Sequence, residues 1–263
     1  MADYKFFQLE RSGGVTTVFL DKPPVNSLEE PLYVEFEKLC DELDNDPQTH
    51  AVLFATKNPK IFIAGADIKD MQTYRFEHDW VDRKITRVHG IFNRLEDITK
   101  PTIAVIQGYA LGGGCEFALA MDFRFMSRGK PRIGLPEVNI GIIPGGGGTQ
   151  RLPRVVGYGR AVELMMTGRH LDADEAERIG LIHRASDPEK TLAEAQEFAR
   201  QLAGQAPVAC ALIKQALRKS LGMDREEGLR VEREHCLKAV LSADAREGIG
   251  AFVEKRKPKW TGK

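Results

Sequence analysis

Two glutamates in apolar settings are the residues of this 263-residue chain that point most directly to chemistry. Glu116 ends the segment Gly108-Tyr-Ala-Leu-Gly-Gly-Gly-Cys-Glu116, and the run after it, Phe117-Ala-Leu-Ala-Met121, is apolar enough to be buried. Three consecutive glycines after a strand leave the backbone open to a ligand, and Gly113 offers an N–H with no intrahelical acceptor. Glu116 falls about one turn into the helix that starts there, where the dipole favours its ionised form by roughly 0.3–1 kcal/mol. A carboxylate at the mouth of a buried helix is a candidate for function before it is a first-turn surface charge. Glu137, in Leu135-Pro-Glu137, also sits in an otherwise apolar stretch. Two carboxyl groups suit general acid–base work, one ionised as base and one protonated as donor.

Two further segments are rich in small residues. In Phe62-Ile-Ala-Gly-Ala-Asp-Ile-Lys69 a strand runs into small residues, and a helix start near Asp67 would expose N–H groups able to bind an anion or a developing oxyanion. Read alone, the segment is first a tight strand-to-helix turn capped by Asp67. Gly141-Ile-Ile-Pro-Gly-Gly-Gly-Gly-Thr149 looks like a phosphate loop but fits neither Gly-x-Gly-x-x-Gly nor Gly-x-x-x-x-Gly-Lys-Ser/Thr, so no nucleotide site is expected there.

The elements that must position these groups alternate in type. Val15–Leu20, Ala51–Ala55, Ile61–Ile63 and Thr102–Ile106 read as strands. Glu29–Leu43, with Leu32, Phe36, Leu39 and Leu43 at helical spacing, and Trp80–Leu95 read as helices between them. The alternation predicts an α/β fold. Near Leu171 the pattern changes: Asp172-Ala-Asp-Glu175 has the form of a capping box, and helical runs continue to about Val253 with almost no strand signal. The expected division is a core over 1–203 and a helical region over 204–263. The tail's apolar positions Leu229, Leu237, Val240, Leu241 and Phe252 need a partner surface.

Composition removes several classes. With 38 basic and 38 acidic residues the chain is neutral, which excludes the overall basic character of a dedicated nucleic-acid binder. Its most basic helix, Arg225 to Lys238, is offset by Glu226, Glu227, Glu232 and Glu234 and reads as a solvated, charge-paired face. No apolar run has the form of a signal peptide or bilayer span, so a cytoplasmic protein without membrane contact is expected. Cys40, Cys115, Cys210 and Cys236 lack metal or disulfide spacing and are expected as reduced thiols. His-x-x-x-His and Gly-x-Ser-x-Gly are both absent, which leaves zinc hydrolase and serine-elbow chemistry without support.

Taken in order, Pro24-Val-Asn-Ser-Leu28, Ala64-Gly-Ala-Asp-Ile-Lys69, Gly108–Glu116, Pro136-Glu137, Ile143–Leu152 and Ala251–Arg256 resemble the enoyl-CoA hydratase/isomerase (crotonase) superfamily, and closest to its hydratases. The resemblance covers nearly the whole chain. It implies a crotonase-like spiral of ββα units, then helices used in trimer assembly, commonly a dimer of trimers. It also implies a backbone oxyanion hole at Ala66 and Gly113, and a CoA-lining loop of Ala64, Ala66, Asp67, Ile68 and Lys69. The substrate is then an acyl-CoA thioester, with no metal and no separate cofactor. Glu116 and Glu137 match the two hydratase glutamates, with Glu116 expected to activate water and Glu137 to deliver a proton to Cα. The basic group Lys255-Arg256-Lys257 resembles residues that approach CoA phosphates. Ser27 departs from the family's usual Ala. A Δ3,Δ2-enoyl-CoA isomerase or an RNA-binding family member are the alternatives. Met71, Trp80 and Phe92 could line an acyl pocket, although core packing explains each.

Overall fold

The computed structural model of the chain describes residues 4–66, 71–72 and 74–263. Among the described residues nine strands form two sheets: β1 (Phe7–Ser12), β2 (Val15–Leu20), β3 (Ala51–Thr56), β4 (Ile61–Ile63), β5 (Thr102–Ile106), β6 (Tyr109–Leu111), β7 (Phe123–Ser127), β8 (Ile133–Gly134) and β9 (Arg184–Ser186). The larger sheet has the order β1-β2-β3-β5-β7-β9, and the smaller β4-β6-β8. Only β1 and β2 are antiparallel, closed through Gly13 and Gly14 at φ +59° and +79°. Odd-numbered strands β3, β5 and β7 thus lie side by side in one sheet, while the strand after each lies in the other. The first three strand pairs each lead into a helix: α1 (Glu30–Asn45) follows β1–β2, α2 (His78–Glu96) follows β3–β4, and α3 (Gly113–Leu119) follows β5–β6. This repeating ββα path winds the chain into a spiral although no sequence repeat marks it.

The core between the sheets centres on Phe117, whose ring contacts Phe36, Phe54, Phe62 and Phe92 at centroid distances of 5.2 to 6.1 Å. Such pairs add about 0.5–1.5 kcal/mol each beyond burial and lock the ring. Phe117 follows Glu116 directly, so the same packing fixes the helix carrying the glutamate. Two more features hold α3. A Cβ on Gly114 would lie 2.0 Å from the Ile63 carbonyl oxygen, so the helix rests directly on β4. Arg124, buried, donates to the Ala118 and Met121 carbonyls at 3.1 and 2.8 Å, satisfying acceptors at the helix end.

A 3₁₀ turn (Glu137–Ile140) follows β8, then α4 (Gly148–Val156), α5 (Tyr158–Thr167), α6 (Ala173–Arg178), α7 (Thr191–Ala203), α8 (Pro207–Lys219), α9 (Arg225–Val240) and α10 (Ala243–Val253). Asp172 caps α6, accepting from the Glu175 N–H at 2.9 Å, as its sequence predicts. Beyond Leu171, where the sequence carries almost no strand signal, the described residues include one short strand. β9 is only three residues long, too short for a period of its own, but β7 supplies a ready edge at Phe125–Ser127. α7 packs Ala195, Ala199 and Ala203 on the sheet's outer face, and α8 is tied down by Lys214 and Arg218, each 2.8 Å from Asp122. In α9 the charged face holds an Arg230–Glu227 ion pair at 3.4 Å. Among the described residues no helix is long and apolar enough to cross a membrane.

Candidate active site

The small sheet explains why distant segments meet. β4, β6 and β8 are parallel neighbours, so their carboxyl ends lie together. Ala66 follows β4, Gly113 and Glu116 follow β6, and Glu137 follows β8. Carboxyl ends of parallel strands are where α/β sheets bind ligands, because loops there converge on a crevice.

The β4 and β6 loops touch. Leu28 bridges to Ala66, its N–H donating to the Gly65 carbonyl at 3.0 Å, a bond that does not use the Ala66 amide. Gly65 has φ +98°, and a Cβ there would lie 3.4 Å from the Gly113 nitrogen. A Cβ on Gly113 would lie 3.9 Å from the Ala66 nitrogen and 2.7 Å from Leu28 Cδ1. The two amides expected to form an oxyanion hole therefore sit side by side, and Gly113, first residue of α3, has no intrahelical acceptor for its N–H. Ala64 is held nearby, its N–H donating to the Val25 carbonyl at 3.2 Å. Asp67, Ile68 and Lys69 lie outside the described residues.

Glu116 is buried, 3% exposed. Its Oε1 accepts hydrogen bonds from Gly146 N–H at 2.8 Å and Gly148 N–H at 2.7 Å. The glycine run that resembles a phosphate loop thus cradles a carboxyl group belonging to the protein itself. Its composition follows from that role. A Cβ on Gly146 would come within 2.6 Å of Glu116 Oε2, and one on Gly148 within 2.9 Å of Oε1. Burial pushes the Glu116 carboxyl above its ordinary pKa, while the two glycine N–H groups and then Arg151 oppose that rise.

Glu137 opens the 3₁₀ turn, with Oε1 2.9 Å from where a Gly112 Cβ would stand, next to Gly113. Its Oε2 is buried without a hydrogen-bond partner. Burial first, and the charge of Glu116 as a further cause, push this carboxyl up to about 7, against its own backbone hydrogen bond. Two carboxyls are thereby set apart: one bonded by amides that favour its charge, the other with an orphaned oxygen and a pKa near neutrality.

Elsewhere the predicted residues divide. Phe92 is fully buried and lines a small apolar cavity with Leu28, Leu32, Tyr33, Ile63 and Phe117. Trp80 packs edge-on against Tyr74 at 4.7 Å. Ser27 accepts from Lys22 Nζ at 2.9 Å, and the same ammonium meets Glu29 at 2.7 Å, so the hydroxyl replaces a methyl for a buried cation. Arg256 is bound by Glu247 and Glu254 at 2.5 Å each, so the other exposed cations of that group are Lys255 and Lys257. All four cysteines are free thiols. Among the described residues no three His, Cys, Asp or Glu side chains gather as a metal site. The Arg151 contact to the glycine loop had no sequence signal, because nothing local distinguishes it from a surface arginine.

Fold and site together define a ββα-spiral protein with two carboxyls on loops at the carboxyl ends of one small parallel sheet. The family model described as enoyl-CoA hydratase/isomerase matches residues 10–263. The short-chain-enoyl-CoA hydratase of Clostridium acetobutylicum is 38% identical over 252 residues, covering 95% of each chain. The crotonyl-CoA hydratase of Syntrophomonas wolfei is 34% identical over 99% of each. The crystal structure of an enoyl-CoA hydratase from Bacillus anthracis superposes with a TM-score of 0.93 at 33% identity, covering 98% of this chain and 100% of that one. The chain belongs to the enoyl-CoA hydratase/isomerase family, on its hydratase side.

Proposed function

We propose that this protein is an enoyl-CoA hydratase, adding water reversibly across the 2,3 double bond of 2-enoyl-CoA thioesters to give 3-hydroxyacyl-CoA. The observation that carries the reading is the convergence of Glu116 and Glu137 beside the Ala66 and Gly113 amides at the ends of three adjacent strands. Relatives named for short-chain and crotonyl substrates support it.

In this reading the thioester oxygen lies against the Ala66 and Gly113 N–H groups, with the CoA portion along Ala64 to Lys69. As water attacks Cβ, charge moves to that oxygen; one such preorganised donor is worth roughly 2.7–4 kcal/mol. Both glycine bonds fall on Glu116 Oε1, which leaves Oε2 to take the water proton. Glu137, protonated near neutral pH, gives its proton to Cα. Oxygen joins Cβ, hydrogen joins Cα, and the proton on Glu116 must return to Glu137 or to solvent before the next turnover. Addition of water is redox-neutral overall, so the reaction as written uses no redox cofactor. Purified protein should convert crotonyl-CoA to 3-hydroxybutyryl-CoA. If it leaves 2-enoyl thioesters untouched yet converts 3-enoyl to 2-enoyl isomers, the isomerase reading replaces this one.

The active form is proposed to be a trimer-based oligomer, a hexamer as a dimer of trimers. Leu237 and Val240 of α9, Ile213 and Leu217 of α8, and Phe252 of α10 are 56–86% exposed in the single chain, large apolar side chains that assembly would cover. Light scattering at micromolar concentration should give three or six chain masses, and a monomer mass contradicts the assembly. Lys255 and Lys257 are placed near the CoA phosphates of that assembly. An unchanged KM and salt dependence after replacing both by alanine removes that placement.

A further inference from the structure

Behind the glycine cradle lies a second layer. Arg151, in the first turn of α4, donates from Nη1 to the Gly146 carbonyl at 2.9 Å. Its Nε and Nη2 donate to Glu96 Oε2 at 2.9 and 2.6 Å, and Nη2 also to Asn93 Oδ1 at 2.8 Å. Gly146 is therefore gripped at both ends, its N–H on Glu116 and its carbonyl on the guanidinium. Gly147, at φ +96°, leaves the space for this fork: a Cβ there would lie 2.1 Å from Arg151 Nη1. The arginine side chain is 11% exposed. Its anchor Glu96 faces Arg218 of α8 at 4.0 Å, and Arg218 in turn bonds Asp122.

A guanidinium that spends donors on the loop backbone, on a carboxylate and on an amide is over-determined in position. We propose that Arg151 is a positioning residue for Glu116: it fixes the Gly146–Gly148 loop that aims the carboxylate and keeps a positive charge behind it, while Glu96 and Asn93 of α2 hold the arginine in place. The inference rests on the hydratase reading above.

Removing the charge has a definite sign. The groups around Glu116 are Arg151 from α4, Glu137 from the 3₁₀ turn, Tyr33 from α1 and Cys115 from its own helix; burial raises the Tyr33 and Cys115 groups, so both are neutral. Arg151 is the cation in that set, backed by Arg218 across Glu96. Without it Glu116 holds its proton to higher pH. A base works only when ionised, so the acid limb of kcat/KM moves upward.

The test compares Arg151→Gln, Arg151→Lys and the unaltered protein in crotonyl-CoA hydration. Arg151→Gln should lose about 10²-fold in kcat, the scale expected for a misplaced catalytic group. KM should stay within a few-fold, and the acid limb should move up. Arg151→Lys should return the limb toward its original place but leave kcat reduced, because one ammonium cannot span Gly146, Glu96 and Asn93 together. If Arg151→Gln does not fold, Asn93→Ala must show the same loss at constant KM in smaller size. An unchanged kcat, a loss confined to KM, or a lost kcat with an unmoved limb overturns the proposal. If the unaltered protein does not hydrate crotonyl-CoA, the functional reading fails instead. Arg151 is then judged by the carbon-13 titration of labelled Glu116, where no difference between the unaltered protein and Arg151→Gln overturns it.

Discussion

Glutamine at position 116 or 137 is expected to cut kcat for hydration at least about 10²-fold, the lower range for a general acid or base. Glu116→Gln keeps an oxygen able to accept from Gly146 and Gly148, so the loop should hold while the base is lost. Glu137→Gln removes the proton donor and the ionisable group while leaving a polar atom of the same shape at the buried Oε2 position. The stability sign follows from linkage. The folded-state pKa of Glu137 stands at about 7, above the ordinary carboxylate value, so its protonated form stabilises the fold at acid pH and that contribution is lost as pH rises through about 7. Glutamine does not titrate. Glu137→Gln should therefore melt about 2–4 °C above the unaltered protein at pH 8, corresponding to about 1 kcal/mol, with the difference closing near pH 5. Activity and stability move in opposite directions at this residue, as expected where a strained group serves catalysis. Steady-state rates and thermal melts at both pH values check the pair. Near-normal hydration by either folded variant removes that residue from the mechanism. Because the two carboxyls are coupled, the descending limb above about pH 7 belongs to the pair and not to one side chain.

The cradle gives the second large effect, with its control in the same glycine run. Gly148→Ala would put a methyl 2.9 Å from Glu116 Oε1, Leu135 Cδ1 and Pro144 Cβ. Gly146→Ala would put one 2.5 Å from Phe92 Cε2 and 2.6 Å from Glu116 Oε2. Something must move in each case, and the carboxylate is what lies in the way. Displacing it by about 1 Å is enough to cost on the order of 10²-fold in rate, and overpacking adds roughly 1–3 kcal/mol of instability. At Gly145 a Cβ meets no described atom within 4 Å, so Gly145→Ala should leave rate and melting temperature almost unchanged. Equal losses at 145 and 148 would sink the cradle as the reason for these glycines.

Local sequence determined the elements that carry their own period or cap. Val18, Leu53 and Ile103 lie in strands where β-branched runs end at turn residues. α1 appears where Leu32, Phe36, Leu39 and Leu43 recur at helical spacing, and α6 starts where Asp172 can accept from Glu175. Even the two glutamates stood out, Glu116 because the apolar run Phe117–Met121 follows it and Glu137 because it interrupts an otherwise apolar stretch. Those signals are short-range: they depend on residues within one or two turns. What those carboxylates face was decided by closure of the small sheet. Three parallel strand ends, from β4, β6 and β8, bring Ala66, Gly113 and Glu137 together from positions up to 71 residues apart, and no local pattern encodes that meeting. The glycines at 145–148 look like a phosphate loop but match no such motif, and their role appears only when α4 folds them over Glu116, thirty residues upstream. β9 exists because β7 offers it an edge. Arg151 looked like any helical arginine until α2 placed Glu96 and Asn93 beneath it. A carboxyl's pKa and aim depend on burial and on the donors around it, and those are set by contacts between segments far apart in the chain.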